Sequence, residues 1–111
     1  MADLARNKKA FHDYEVLEKM EAGIALVGTE VKSCRAREVS LQEAHAVVEN
    51  GEVILRNMHI SPYKAGNRFN HEPKRDRKLL LHKNEIRKLY QQVNQKGLTL
   101  VPLAMYLRRG K

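Results

Sequence analysis

Few residues in this sequence have the chemistry to make or break bonds. Its histidines, His12, His45, His59, His71 and His82, are scattered along 111 residues. His71-Glu72-Pro73 does not continue into the HExxH arrangement that sets two imidazoles on one helix face around zinc. No Cys/His cluster has the spacing of a metal site. Cys34 is the sole cysteine, so it closes no internal disulfide, and it reads as a small core residue in a reducing compartment. A histidine pair can cleave RNA by acid–base transfer, and His12 with His71 is the candidate pair. Nothing in the sequence brings the two together. Neither a phosphate-cradling glycine loop nor a GxSxG elbow is present. The expectation is a binding protein and not an enzyme, with no catalytic residue, no metal and no cofactor.

The chemistry of binding is better represented. Lys and Arg number 21 against 13 acidic residues, a formal net charge of +8. Such a surface attracts polyanions at long range. No stretch approaches the roughly 18 consecutive apolar residues of a membrane span, and Met1-Ala2-Asp3-Leu4 carries no apolar signal core. Nucleic acid in the cytoplasm is therefore expected over a membrane. The densest patch is the loop Ser61–Arg77, extended to Lys78, which holds Lys64, Arg68, Lys74, Arg75, Arg77 and Lys78 with Tyr63 and Phe69 interleaved. Cations neutralise phosphates while rings stack on bases, each stacked base contributing about 1–3 kcal/mol. Glu72 and Asp76 dilute the charge, and a plain solvated loop is the competing reading. Arg6, Lys8 and Lys9 near the start, and Arg108, Arg109 and Lys111 at the end, would add phosphate contacts, although charged termini are more often simply solvated.

These residues need a scaffold. The length fits one domain, 1–111, and its core must be aliphatic, since there is no Trp and only two Phe and four Tyr. Residues 1–12 read as a loose basic arm. Tyr14 to Val27 holds two short strand-like runs, the second with Ala22, Ile24 and Leu26 alternating. Thr29 to Arg35 suggests a short helix with Val31 and Cys34 on one face. Ser40-Leu41-Gln42-Glu43 matches a helix capping box, but no helical pattern follows, so a turn is expected. Asn50-Gly51 lies between two β-rich runs and supplies the positive φ angles of a type I′ hairpin. That link sets Val48 opposite Val53, Val47 opposite Ile54 and Ala46 opposite Leu55. Residues 61–77 lack periodicity, and the Tyr63–Arg77 loop is expected to be mobile without RNA. Lys78 to Leu81 is a short strand. Residues 83–95 form a helix with Ile86, Leu89, Tyr90 and Val93 on its apolar stripe, His82 near its N-cap, Glu85 three residues on and Gly97 as its stop. Leu98 to Leu107 reads as a strand bent or bulged at Pro102. The fold class is mainly β with helices, an OB-like antiparallel β-barrel with flanking helices, a type that commonly binds nucleic acid. That last step is fold analogy alone.

Several segments together resemble a known family. They are Asn7-Lys8-Lys9-Ala10-Phe11-His12-Asp13-Tyr14, Glu21-Ala22-Gly23-Ile24, Gly28-Thr29-Glu30-Val31-Lys32-Ser33, Asn57-Met58-His59-Ile60-Ser61-Pro62-Tyr63, Gly66-Asn67-Arg68-Phe69-Asn70-His71, Arg77-Lys78-Leu79-Leu80-Leu81-His82 and Lys96-Gly97-Leu98-Thr99-Leu100-Val101-Pro102-Leu103. In this order they resemble the SsrA-binding (small protein B) family over nearly the whole chain. The resemblance implies an OB-like barrel that binds the tRNA-like domain of transfer-messenger RNA. It further implies delivery of that RNA, in company with elongation factor Tu, to a ribosome stalled on a broken message, with no catalysis by the protein.

Family RNA contacts carry over onto Glu21, Leu80 and His82, and the loop residues Asn67, Arg68 and Phe69 fall in a matching segment. Glu21 can accept from a base edge or ribose hydroxyl, or orient a neighbouring arginine. Leu80 can offer an apolar face to an unstacked base. His82 can donate to phosphate beside helix N-terminal amides. From the residues alone, Leu80 reads equally as core and His82 equally as a plain N-cap. Cys34 stands where the family often carries Leu. Family members continue past Arg109-Gly110 with a further strand and a basic tail that probes the decoding site, so this chain is expected to bind the RNA without supporting tagging. The alternative role is a general OB-type translation factor or RNA chaperone lacking specificity for that RNA.

Overall fold

The computed structural model describes residues 3–64 and 70–107. In chain order they form β1 (Asp3–Arg6), α1 (Lys8–Asp13), β2 (Gly23–Ile24), α2 (Gly28–Arg35), β3 (Val39–Ser40), β4 (His45–Glu49), β5 (Glu52–Arg56), β6 (His59–Ile60), β7 (Arg77–Leu80), α3 (Lys83–Lys96) and β8 (Ala104–Tyr106). Asn50 and Gly51 take φ of 51° and 75°, the pair of positive angles that a type I′ turn demands. The link fixes β4 against β5 in the expected register, Val48 opposite Val53 and Ala46 opposite Leu55. On its other edge β5 pairs with β7, and β7 with β2, giving an antiparallel sheet in the order β2-β7-β5-β4.

β1 with β8 and β3 with β6 make two further two-stranded sheets. The architecture is mixed β-sheet with helices, and among the described residues the ladders do not close into a barrel. Two causes are local. The β1–β8 register shifts between Asp3 and Ala5, and Pro102 brings no amide donor to a ladder. The expected strand over 98–107 is accordingly divided into an isolated bridge, Ala46 to Leu100, and β8. One core nevertheless lies under all three sheets: Cys34, Leu41, Ala44, Leu55, Met58 and Ile60 are buried, with Leu4, Ile24, Val39, Ala46, Leu79 and Met105 packed against them.

The N-terminal stretch, expected as a loose arm, is instead β1 and α1. The reason is Asn7, only 3% exposed. Its Oδ1 accepts the Ala10 amide at 3.1 Å, capping α1, while its Nδ2 donates to the carbonyls of Leu41 and Pro102, each at 3.0 Å. Its own amide reaches the Leu103 carbonyl at 2.8 Å. Of the two strand-like runs expected in Tyr14–Val27, only Gly23–Ile24 forms a strand, and residues 14–22 run exposed to it. Glu18 moors this run to α3 through Lys88 at 2.9 Å and Gln92 at 2.7 Å. α3 forms as expected and stops at Gly97, left-handed at φ 67°. Its apolar stripe is narrower than expected, since Leu89 is buried but Tyr90 is 53% exposed. Ser40–Glu43 is a turn at the end of β3, as read. No described helix is long and apolar enough to cross a membrane.

Candidate nucleic-acid interface

The β2–β7 ladder builds one corner of the molecule. It pairs Gly23 with Leu80 and Ile24 with Leu79. Glu21 lies two residues before Gly23 and His82 two residues after Leu80, so the three residues that the resemblance singled out lie on or beside the end of this ladder. Leu80 is 53% exposed, which removes its reading as plain core. Gly23 makes room for it, since a Cβ there would sit 3.2 Å from the Leu80 Cβ. His82 is the N-cap of α3, but its imidazole makes no capping bond and lies exposed. Glu85 caps instead, accepting the His82 amide at 2.8 Å. Tyr106, from β8 at the far end of the chain, donates its hydroxyl to the Glu21 carboxylate. The corner thus presents an apolar cap, a hydrogen-bond acceptor, an imidazole beside a helix N-terminus and a tyrosine ring, all open to solvent. Sequence reasoning missed Tyr106 because no pattern near it refers to residue 21.

Below this corner sits a buried ionic clamp, and it corrects the expectation for Arg77. That residue was expected among the RNA-contacting cations, but it is 0% exposed. Its guanidinium donates to Glu30 Oε2 at 2.6 Å, to the Met58 carbonyl at 2.6 Å and to the Pro73 carbonyl at 3.0 Å. Every face of the group is spent inside the protein, so Arg77 is a strut. Arg75 is partly exposed but committed to the same carboxylate, at 2.6 Å from Glu30 Oε1. Glu30, itself 0% exposed, also accepts the Val27 amide at 3.0 Å, which helps to start α2. Burial pushes the Glu30 carboxyl up, but bonds from Arg75, the Val27 amide and Arg77 outweigh it, and the net shift is downward. The hydrogen bond to Glu30 raises Arg75 in turn. Burial pushes the Cys34 thiol up to about 11, which fits an inert core residue.

The remaining expected contacts are dispersed. Lys78 shares the exposed face of β7 with Leu80 and pairs with Glu52 at 2.7 Å. Arg6 lies 3.5 Å from Asp3 and Lys9 3.3 Å from Glu43, while Lys8 and Lys74 are exposed. Tyr63 is half-buried with the Lys32 ammonium 5.5 Å from its ring centroid. The loop expected to be mobile is tied down in its second half. Asn70 clasps Tyr63, accepting its amide at 3.0 Å and donating to its carbonyl at 2.6 Å. His71 Nε2 donates to the Ile60 carbonyl at 2.8 Å, which leaves Nδ1 to accept the Thr29 hydroxyl at 2.9 Å. His12 has a different partner, Asp13 at 3.0 Å, so these contacts do not join it to His71. Asn67, Arg68 and Phe69, with Arg108, Arg109 and Lys111, lie outside the described residues.

Comparison with known proteins places this scaffold. The SsrA-binding protein of Carboxydothermus hydrogenoformans is 63% identical over 105 residues, covering 95% of this chain and 70% of its own length. That of Levilactobacillus brevis is 63% identical over 107 residues, covering 96% and 68%. A chain from a solved structure described as "tmRNA-SmpB: a journey to the center of the bacterial ribosome" superposes with a TM-score of 0.76 at 55% identity, covering 95% of this chain and 74% of that one. The SmpB protein model matches residues 4–111, and with it the chain belongs to the SmpB family.

Proposed function

We propose that this protein binds the tRNA-like domain of transfer-messenger RNA and supports its delivery to stalled ribosomes for trans-translation, with elongation factor Tu arriving through the RNA complex. The observation that carries this reading is the exposed corner of Glu21, Leu80 and His82 on a chain of net charge +8. Leu80 covers an unstacked base, Glu21 accepts a donor edge and His82 meets phosphate at the start of α3. The cations Lys78, Lys8, Lys9, Arg6 and Lys74 add phosphate contacts around it. Support also comes from the relatives, which are SsrA-binding proteins, and from the solved tmRNA-SmpB structure that the chain resembles.

The role is binding without catalysis, in the cytoplasm where ribosomes work. The protein acts as a single domain whose three sheets are arcs of one OB-like wall. Each of the eight strands contributes a side chain to the same core, and the Ala46–Leu100 bridge joins β4 to the segment that feeds β8.

The test is competition binding. A tRNA-like fold should outcompete both duplex and unstructured single strands at moderate salt, while log affinity falls linearly with log salt as several phosphates are neutralised. Equal competition by every polyanion would reduce the protein to a general RNA binder.

A further inference from the structure

We infer that Tyr106 is a positioning residue for RNA recognition, holding the Glu21 carboxylate so that it accepts from a donor group of an unpaired nucleotide: a base amino or imino group, or a ribose 2′-hydroxyl. The inference rests on the binding reading above and adds to it the residue that holds Glu21. Glu21 lies in an exposed run over residues 11–23 and outside the β2 ladder, so its own backbone fixes it weakly. Tyr106 comes from a firmer place. It pairs with Asp3 in the β1–β8 ladder, and that ladder is anchored beyond its end by the Asn7 bonds to Leu41, Pro102 and Leu103. The tyrosine hydroxyl donates to Glu21 Oε2, which tethers one carboxylate oxygen.

The charge of Glu21 gives this arrangement its selectivity. A carboxylate only accepts hydrogen bonds. Facing a phosphodiester it repels, whereas facing a base donor or a 2′-hydroxyl it bonds. A fixed carboxylate at the edge of a basic surface therefore disfavours plain duplex backbone and favours a splayed nucleotide. Without the tyrosine hydroxyl the carboxylate loses this tether, and part of its ordering must be supplied on binding.

The experiment uses the whole chain and the variants Tyr106→Phe, Glu21→Gln and their combination, titrated against a tRNA-like RNA and a plain duplex over a range of salt, with denaturation midpoints alongside. Tyr106→Phe should weaken tRNA-like binding by about three- to ten-fold, the scale of one hydrogen bond. Duplex affinity and the salt slope should stay the same, since no phosphate contact is lost. In the Glu21→Gln background the tyrosine substitution should have no further effect. A Tyr106→Phe chain that binds like the parent, or losses that add independently in the double variant, would overturn the inference alone. A loss shared equally by both RNAs and matched by a fall in midpoint would make Tyr106 a structural residue and overturn it as well. A parent chain that does not prefer the tRNA-like fold would overturn the binding reading and this inference with it.

Discussion

Glu21 and Glu30 are nine positions apart and have opposite occupations. Glu30 is fully buried, with two arginines and a backbone amide on its oxygens. Glu21 is exposed and takes a tyrosine hydroxyl from a distant strand. The buried acid neutralises cations that would otherwise have no place inside, and the exposed one puts an acceptor on a surface dominated by positive charge. What separates them is what can reach them: solvent and a ligand in one case, only protein in the other. The same contrast recurs between neighbours on β7, where Arg77 points inward and Lys78 outward.

The sharpest way to break the comparison is Arg77→Ala. Truncating one member of a buried ion pair leaves the other charge uncompensated, at a cost of about 3–5 kcal/mol. Glu21→Ala, by contrast, should leave stability within about 0.5 kcal/mol, as for most surface changes. Urea denaturation of the two variants reads both, and equal losses would mean that exposure does not divide their roles.

The next largest effect is expected with acid. The folded Glu30 carboxyl titrates below its unfolded value, so its contribution is present above the unfolded glutamate pKa of about 4.3 and is lost as pH falls through the lower folded value. Glu30→Gln should cost about 1–3 kcal/mol at neutral pH and flatten the fall in stability below that point. Denaturation midpoints measured from pH 7 to pH 3 check this, and an unchanged acid limb would place the acid sensitivity elsewhere.

Lys78→Ala should do least to the fold. Its exposed pair with Glu52 is worth about 0–1 kcal/mol. If Lys78 meets a phosphate, its loss lowers the slope of log affinity against log salt by about one. A slope identical to the parent's would confine Lys78 to its pairing with Glu52.

The sequence disclosed whatever was local. The hairpin register followed from Asn50-Gly51, and α3 followed from its apolar spacing and Gly97. What stayed hidden depends on partners far along the chain. Arg77 looks like any loop cation until Glu30, 47 residues away, accepts from it in the interior. Nothing near Asn7 announces carbonyls at Leu41 and Pro102. Of the two strand-like runs read in Tyr14–Val27, the first meets no partner strand and has no ladder to fill, while the alternating second run pairs only at Gly23 and Ile24. The corner itself was only partly legible. Resemblance named Glu21, Leu80 and His82, but the exposure of Leu80, the uncommitted imidazole of His82 and the approach of Tyr106 required the folded chain.

The pairing of β1 with β8 also constrains the order in which this protein folds. Asp3 is synthesised about a hundred residues before its ladder partner Tyr106. At bacterial and eukaryotic synthesis rates of about 5–20 residues per second, the opening segment waits roughly 5–20 seconds for its partner. During that interval the hairpin of β4 and β5 can already form, while β1 stays without its ladder partner. The Glu21–Tyr106 contact is thus assembled well after the β4–β5 hairpin, so a nascent chain that stops short of Tyr106 has most of the interface cations but not yet its tyrosine-held acceptor.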